Sequence, residues 1–107
     1  MRRVSKRDAA RRDLIEHFEY LAEHAGLKVA ERFLSSAESS FADLARQPMM
    51  GAPLTLRRPE LAGLRKWRVK GFDNHMIFYF PKHDGISVLR VLHAARDWWG
   101  LLGLEDS

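Results

Sequence analysis

Hydrophobic positions recur at helical spacing in the first half of the chain. From Asp8 the apolar residues fall three or four apart until Gly26, and a second stripe of this kind runs to Pro48. The first stripe contains Ala10, Leu14, Ile15, Phe18, Leu21, Ala22 and Ala25. The second contains Ala30, Phe33, Leu34, Ala37, Phe41 and Leu44. Because only the short interruption at Gly26 separates them, the stripes predict two amphipathic helices folded back as a hairpin.

The second half of the chain alternates apolar and polar residues, as strands do. Residues 64–99 predict three strands, which are separated by turn residues around Gly71 and again at residues 81–85. Strands joined by turns this short pair antiparallel, so we expect a β-meander. A short strand at residues 2–5, with Val4 as its one strong strand former, is predicted to precede the helices.

The last of these strands, residues 86–93, has apolar side chains on both faces. Alternation puts Ile86, Val88 and Leu92 on one face and Leu89 and Val91 on the other. We therefore expect this strand to lie inside the sheet. Arg90 interrupts it, and we expect its guanidinium to meet a carboxylate or to face solvent or a partner, because a lone buried cation is costly.

Together these elements predict one α+β domain over residues 1–107. Its N-terminal strand and two-helix hairpin pack on the antiparallel meander, and a short C-terminal helix with Trp98 and Trp99 follows. The helices cover one sheet face. The opposite face carries apolar groups with cations among them, so we expect it to be partly exposed and to meet a partner.

Composition excludes several classes of protein. The 107 residues include no cysteine, so there are no disulfides and no thiolate metal ligands. No apolar run is long enough to cross a bilayer, and the basic N-terminus has no hydrophobic stretch after it, so we expect neither a membrane nor a secretory protein. The five histidines do not group with acids at metal-ligand spacing. We expect a cytoplasmic protein without a metal or other cofactor.

Positive charge is concentrated in one segment. The net charge is +4, and residues 57–70 contain Arg57, Arg58, Arg65, Lys66, Arg68 and Lys70 against the single acid Glu60. Such a patch favours an acidic partner, either a phosphate backbone or an acidic protein. A solvated surface that only promotes solubility is the alternative.

One catalytic interpretation remains open from the residues alone. RNA cleavage needs a proton acceptor, a proton donor and cations that hold phosphate charge. The groups available for these roles are His93, Arg65, Arg68, Arg90 and Arg96. The favoured alternative is a structural network in which His93 and an arginine bond Asp97 and fix the C-terminal corner.

The chain resembles the RelE/ParE superfamily of toxins from bacterial type II toxin-antitoxin modules, and more closely its ParE branch. The resemblance rests on the element order, on PELAGLRKWRVKGFDNHMIFYF at residues 59–80 and on ISVLRVLHAARDWW at residues 86–99, within which R-V-L-H-x-x-R-D is the most specific part. It implies an α+β toxin held inactive by an antitoxin encoded beside it, in a hetero-oligomer. The ParE branch implies inhibition of DNA gyrase without a reaction by the toxin. The RelE branch implies cleavage of mRNA on the ribosome.

Two departures favour the ParE branch. RelE-like nucleases carry lysines in the linker and often a tyrosine near the C-terminus, where this chain has QPMMGAP and DWWGLLGLEDS. We therefore expect a gyrase inhibitor that acts by binding; a ribosome-dependent endonuclease using His93, Arg65 and Arg90 is the alternative, and a degenerate, non-toxic family member is a third possibility. The predicted contacts to antitoxin or target are Arg57, Arg58, Arg65, Trp67, Arg68, Arg90 and Arg96.

Overall fold

Two helices pack on a five-stranded mixed sheet in the computed structural model, which describes residues 2–94. The elements are β1 (Arg3–Lys6), α1 (Asp8–His24), α2 (Leu27–Arg46), β2 (Ala52–Pro53), β3 (Arg65–Val69), β4 (Phe72–Lys82) and β5 (Gly85–His93), with a 3₁₀ turn at Pro59–Leu61. The predicted α+β class, first strand, helix hairpin and meander are confirmed. The C-terminal helix predicted around Trp98 and Trp99 lies outside the described residues.

The strand order is β1-β5-β4-β3-β2. The three later pairs are antiparallel, as expected for a meander, but β1 runs parallel to β5, with Arg3 opposite Gly85. The prediction that β5 lies inside the sheet is confirmed. Gly85 permits this pairing, because a Cβ there would lie 1.8 Å from the carbonyl oxygen of Arg3. Strand β2 is an addition, since it lies in a linker that gave no strand signal.

The helices bury different kinds of residue. In α2 the predicted apolar stripe is buried, including Phe33 and Phe41, which are fully enclosed. In α1 the buried face turns toward Asp13 and His17 at 5% and 7% exposure, whereas Ile15 is 58% exposed, so its place in the predicted stripe is wrong. Neither helix in residues 2–94 has the length and apolarity needed to cross a membrane.

A bulge in β5 changes which side chains share a face. Phe78 of β4 pairs with Arg90, but the next residue, Tyr79, pairs with Val88, so Leu89 is left without a partner. The extra residue reverses the alternation along the strand. Ile86 and Val88 pack toward the helices together with Val91, while Leu92 packs on the opposite face. The prediction that Leu92 shares a face with Ile86 and Val88 is therefore wrong.

The sheet face turned away from the helices is covered by the chain's own linker. Leu61 and Leu64, on either side of Gly63, are buried and form a second core cluster with Phe78, Phe80 and Leu92. Leu54 and Leu56 pack against the same cluster. The expectation that this face leaves apolar groups partly exposed for a partner is wrong for Phe78, Phe80 and Leu92, because the linker's leucines remove them from water.

Candidate functional site

Helix α1 bonds the part of the β5 edge that lies beyond β1. Strand β1 ends at Lys6, opposite Val88, so within residues 2–94 the edge of β5 beyond that point has no strand neighbour on this side. The buried carboxylate of Asp13 accepts hydrogen bonds there from Arg90 Nε at 2.7 Å, from Arg90 Nη2 at 2.8 Å and from the Val91 N–H at 3.0 Å. The bond from Asp13 raises the pKa of Arg90 above its ordinary value. Arg90 thus meets a carboxylate, one of the two expected outcomes.

His17, one helical turn after Asp13, bonds the same edge of β5. Its Nε2 lies 2.8 Å from the carbonyl oxygen of Val91 and so carries the proton that it donates there. The ring of His75 lies edge-on to His17 at 4.8 Å and to His93 at 5.0 Å between centroids. Burial, and then the neighbouring His17 and His93, lower the pKa of His75 to about 4. His75 is therefore neutral at pH 7, and its Nδ1 has no hydrogen-bond partner in residues 2–94.

Arg65 and Tyr79 hold the turn between α2 and β2 against the sheet. Arg65 Nη1 donates to the carbonyl oxygens of Met49, at 3.1 Å, and Gly51. The Tyr79 hydroxyl donates to the Pro48 carbonyl oxygen at 2.7 Å and accepts from the Gly51 N–H at 2.9 Å. Burial raises the pKa of Tyr79, so the phenol stays protonated and remains a donor. Arg65 is thus engaged by backbone oxygens.

The three residues that a nuclease would use lie apart from one another. Arg65 is opposite Tyr79 on β4, whereas His93 is opposite His75, four residues away along the same strand. That separation is about 13 Å along the strand, and β4 itself stands between the two side chains. Arg90 is turned to Asp13. The structure does not bring His93, Arg65 and Arg90 together around one point.

The other predicted contact residues are on the surface, apart from one outside the described part. Arg57 and Arg58 are exposed on the linker, where Arg58 Nε pairs with Glu60 at 2.7 Å. Trp67 and Arg68 are exposed on β3. Arg96, and the predicted His93–Asp97 bond, involve residues outside 2–94.

A cleft of about 610 Å³ opens between the end of α2 and β3, beside the turn into β4. Met50 and Trp67 line it, with charged groups around them. Lys70 Nζ lies 3.0 Å from both Asp43 Oδ2 and Ser39 Oγ. The bond from Lys70 is the largest cause of the lowered pKa of Asp43, and Arg46 adds to it. The acid on the helix wall of the cleft is therefore already paired.

These features have only weak signals in the sequence. Asp13 and His17 are four residues apart and adjoin the apolar stripe of α1, a spacing that puts both on one helix face. Their partner, Val91, lies more than seventy residues later, and nothing local identifies it. Within residues 2–94 no three histidine or acidic side chains are grouped so as to hold a metal ion.

Comparison with known proteins gives a family match and matches to solved structures. Residues 4–98 match the model of a family described as ParE toxin of type II toxin-antitoxin system, parDE. A solved structure titled "Chromosomal ParDE TA system from P. aeruginosa" superimposes with a TM-score of 0.69 at 17% sequence identity, and the alignment covers 87% of this chain and 96% of that one. No individual curated protein matches significantly. At this identity the structural likeness shows a shared fold.

Proposed function

This chain belongs to the ParE toxin family of type II toxin-antitoxin systems, and from that membership we propose that it inhibits DNA gyrase by binding, without catalysing a reaction. An antitoxin encoded beside it neutralises it in a toxin-antitoxin hetero-oligomer. The proposed action takes place in the cytoplasm, where gyrase works on DNA.

One observation carries the choice of binding over catalysis. Two of the cations considered for RNA cleavage are occupied by the fold: Asp13 holds Arg90 through two hydrogen bonds, and backbone oxygens hold Arg65. A catalytic cation must be aimed at the place where charge develops on the substrate. These two groups are aimed at the protein itself, and His93 lies at a different place along the sheet. This arrangement supports a surface that recognises a macromolecule.

The exposed members of the predicted contact set supply such a surface. Trp67 and Arg68 on β3, with Arg57 and Arg58 on the linker, are accessible to a partner. Arginine and tryptophan are the residue types that most often dominate the energy of a protein interface. Arg65 and Arg90 act here as supports that hold β3 and β5 in place.

A supercoiling assay tests the proposal. Purified gyrase is mixed with relaxed plasmid, ATP and increasing amounts of the chain, and the formation of supercoiled plasmid is measured. We expect supercoiling to fall as the chain is added and to return when the antitoxin reaches an equal molar amount. Unchanged supercoiling at concentrations that arrest growth in cells would contradict the proposal.

Ribosome-dependent mRNA cleavage is the second candidate, and the cations of β3 favour it. Arg68 is exposed on the strand that follows the basic linker, so it is accessible to a phosphate backbone. Primer extension on translated mRNA tests this candidate. Cuts that depend on translation and disappear in His93→Ala would support it, and intact mRNA during growth arrest would remove it.

A further inference from the structure

A second basic segment of the chain lies at its N-terminus. Residues 2–12 contain six cations against the single acid Asp8; the cations are Arg2, Arg3, Lys6, Arg7, Arg11 and Arg12. Lys6 turns toward the helices, where its Nζ lies 3.3 Å from Glu38 Oε2. Arg3, Arg7 and Arg11 are exposed and form no ion pair with Asp8 or any other acid within residues 2–94. The fold therefore leaves the charge of these three arginines unneutralised.

Strand pairing sets Arg3 beside a fourth exposed cation, Lys82. Val4 packs into the core beneath the helices, so alternation along β1 points Arg3 to the opposite face of the sheet. Arg3 lies opposite Gly85 on β5, and Gly85 lies opposite Lys82 on β4. The two cations thus flank a residue without a side chain, and their backbones are two strand spacings, about 10 Å, apart. Asp84 adjoins Gly85 but forms no ion pair with either cation in the described part of the chain.

The ring of Phe80 brings Arg7 to the same surface. The guanidinium carbon of Arg7 lies 5.3 Å from the ring centroid, and Lys82 Nζ lies 5.8 Å from it. Arg11 follows Arg7 by one helical turn, and its N–H donates to the Arg7 carbonyl oxygen at 3.1 Å, so the two side chains lie on one side of the helix. The N-terminal basic patch is defined as Arg3, Arg7, Arg11 and Lys82.

The chemistry of the patch fits the backbone of a nucleic acid duplex. A DNA strand carries one phosphate per about 3.4 Å of helix axis, so phosphates three apart span about 10 Å, the separation of Arg3 and Lys82. Proteins hold single strands by stacking bases on aromatic rings, but Phe80 is only 8% exposed. Binding to a membrane surface also needs apolar side chains that enter the lipid, and residues 2–12 and 82–84 expose no large apolar side chain.

We propose that the N-terminal basic patch binds the phosphate backbone of duplex DNA, with phosphates of one strand at Arg3 and Lys82 and further phosphates at Arg7 and Arg11. The choice of DNA rests on the proposed function, because an inhibitor of gyrase acts where a DNA duplex is bound. The inference adds a direct contact between this chain and DNA, on a surface separate from Trp67 and Arg68.

The salt dependence of DNA binding tests the proposal. The dissociation constant of a labelled duplex of about 20 base pairs is measured by fluorescence anisotropy between about 50 and about 200 mM salt. Four phosphate contacts predict that its logarithm rises with the logarithm of the salt concentration with a slope of about 3.6. Arg11→Gln and Lys82→Gln are each expected to lower this slope by about 0.9 and to weaken binding about tenfold at the lowest salt concentration.

Lys28→Gln is the matched control, because Lys28 is an exposed cation in the first turn of α2, outside the patch. It is expected to leave the slope unchanged and the dissociation constant within about twofold. Circular dichroism establishes that each variant is folded. Acetylation of lysines in the unmodified chain, followed by mass spectrometry, gives a readout that needs no variant: duplex DNA is expected to slow acetylation of Lys82 and to leave that of Lys28 unchanged.

The outcomes separate this inference from the proposed function. Inhibition of gyrase by a chain that does not bind duplex DNA, or that binds it with equal slopes in the patch variants and in Lys28→Gln, overturns the inference alone. Patch-dependent binding to the duplex without inhibition of gyrase supports the DNA surface and overturns the proposed function.

Three results would assign the patch to a different partner and overturn the inference. The first is binding to a matched RNA duplex at least about tenfold tighter than to DNA, and the second is such binding to phosphatidylserine vesicles, in each case weakened in Arg11→Gln. The third is weaker binding of both patch variants to gyrase without DNA, while their affinity for the DNA duplex is unchanged.

Discussion

Replacing Asp13 with asparagine is expected to destabilise the fold well beyond the effect of an ordinary surface substitution. The carboxylate is 5% exposed and its two oxygens receive three donors, two from Arg90 and one from Val91. The asparagine side chain has the same shape but only one acceptor oxygen. Its NH₂ group is a donor and would face a donor of Arg90 or Val91, with which it cannot form a hydrogen bond. The substitution therefore removes a charge and leaves part of the Arg90 guanidinium without a partner.

The magnitude follows from the burial of the two side chains. Breaking a fully buried ion pair by removing one partner costs about 3–5 kcal/mol. The Arg90 side chain is 23% exposed, so water compensates part of the loss. We therefore expect the free energy of unfolding of Asp13→Asn to fall by about 2–3 kcal/mol.

Urea unfolding followed by circular dichroism measures this change, with Glu23→Gln as the control. Glu23 is an exposed acid on the same helix, and its substitution is expected to change the free energy of unfolding by less than about 0.5 kcal/mol. Asp13→Asn and Arg90→Gln are expected to have non-additive effects, because the two residues contact each other. The free energy of unfolding lost in the double variant is expected to be at least about 1 kcal/mol smaller than the sum of the two single losses. A loss below about 1 kcal/mol in Asp13→Asn, or additive losses in the double variant, would contradict the stabilising role of the Asp13–Arg90 pair.

Three further predictions concern His75, Tyr79 and Gly85. Since the pKa of His75 falls from 6.5 in the unfolded chain to about 4 in the folded one, the unfolded chain binds the proton first as the pH drops, and stability is lost between pH 6.5 and 4. The free energy of unfolding is expected to fall by about 2 kcal/mol by pH 5, as urea unfolding at pH 7.5 and at pH 5 would measure. In His75→Phe this fall is expected to be about 2 kcal/mol smaller. An equal fall in both proteins would contradict the lowered pKa of His75. Tyr79→Phe removes the hydroxyl that bonds Pro48 and Gly51, so we expect a loss of about 1–3 kcal/mol and faster exchange of the Gly51 amide, and an unchanged amide would contradict it. Gly85→Ala puts a Cβ on the Arg3 backbone, so amides of Arg3–Lys6 should lose their protection against hydrogen exchange, whereas retained protection would show that the close approach is not required.

Local patterns predicted the elements of this fold because each depends on residues near one another. The stripes that predicted α1 and α2, and the turns around Gly71 and residues 81–85, are read within a window of about 10–20 residues. The evidence for β1 was weaker than for the helices, because Val4 is the one strong strand former there. The strand is nevertheless present and pairs with β5.

The features that were missed depend on contacts distant in sequence. The bulge at Leu89 leaves no mark in the composition of β5, but it moves Leu92 to the opposite face. Asp13 and His17 have the polarity of surface residues, and their burial depends on the bonds that they form with the backbone of Val91. The covering of the second sheet face by Leu61 and Leu64 requires knowing where the linker crosses.

The proposed function is that this chain arrests growth by acting on DNA topology through binding. The most direct test follows one culture from induction of the chain to growth arrest and measures both the supercoiling of a reporter plasmid and the integrity of translated mRNA. Inhibition of gyrase by binding predicts that the plasmid loses negative supercoiling while the mRNA remains intact, in the unmodified chain and in His93→Ala alike. Unchanged plasmid topology, with mRNA cut in a manner that His93→Ala abolishes, would contradict it.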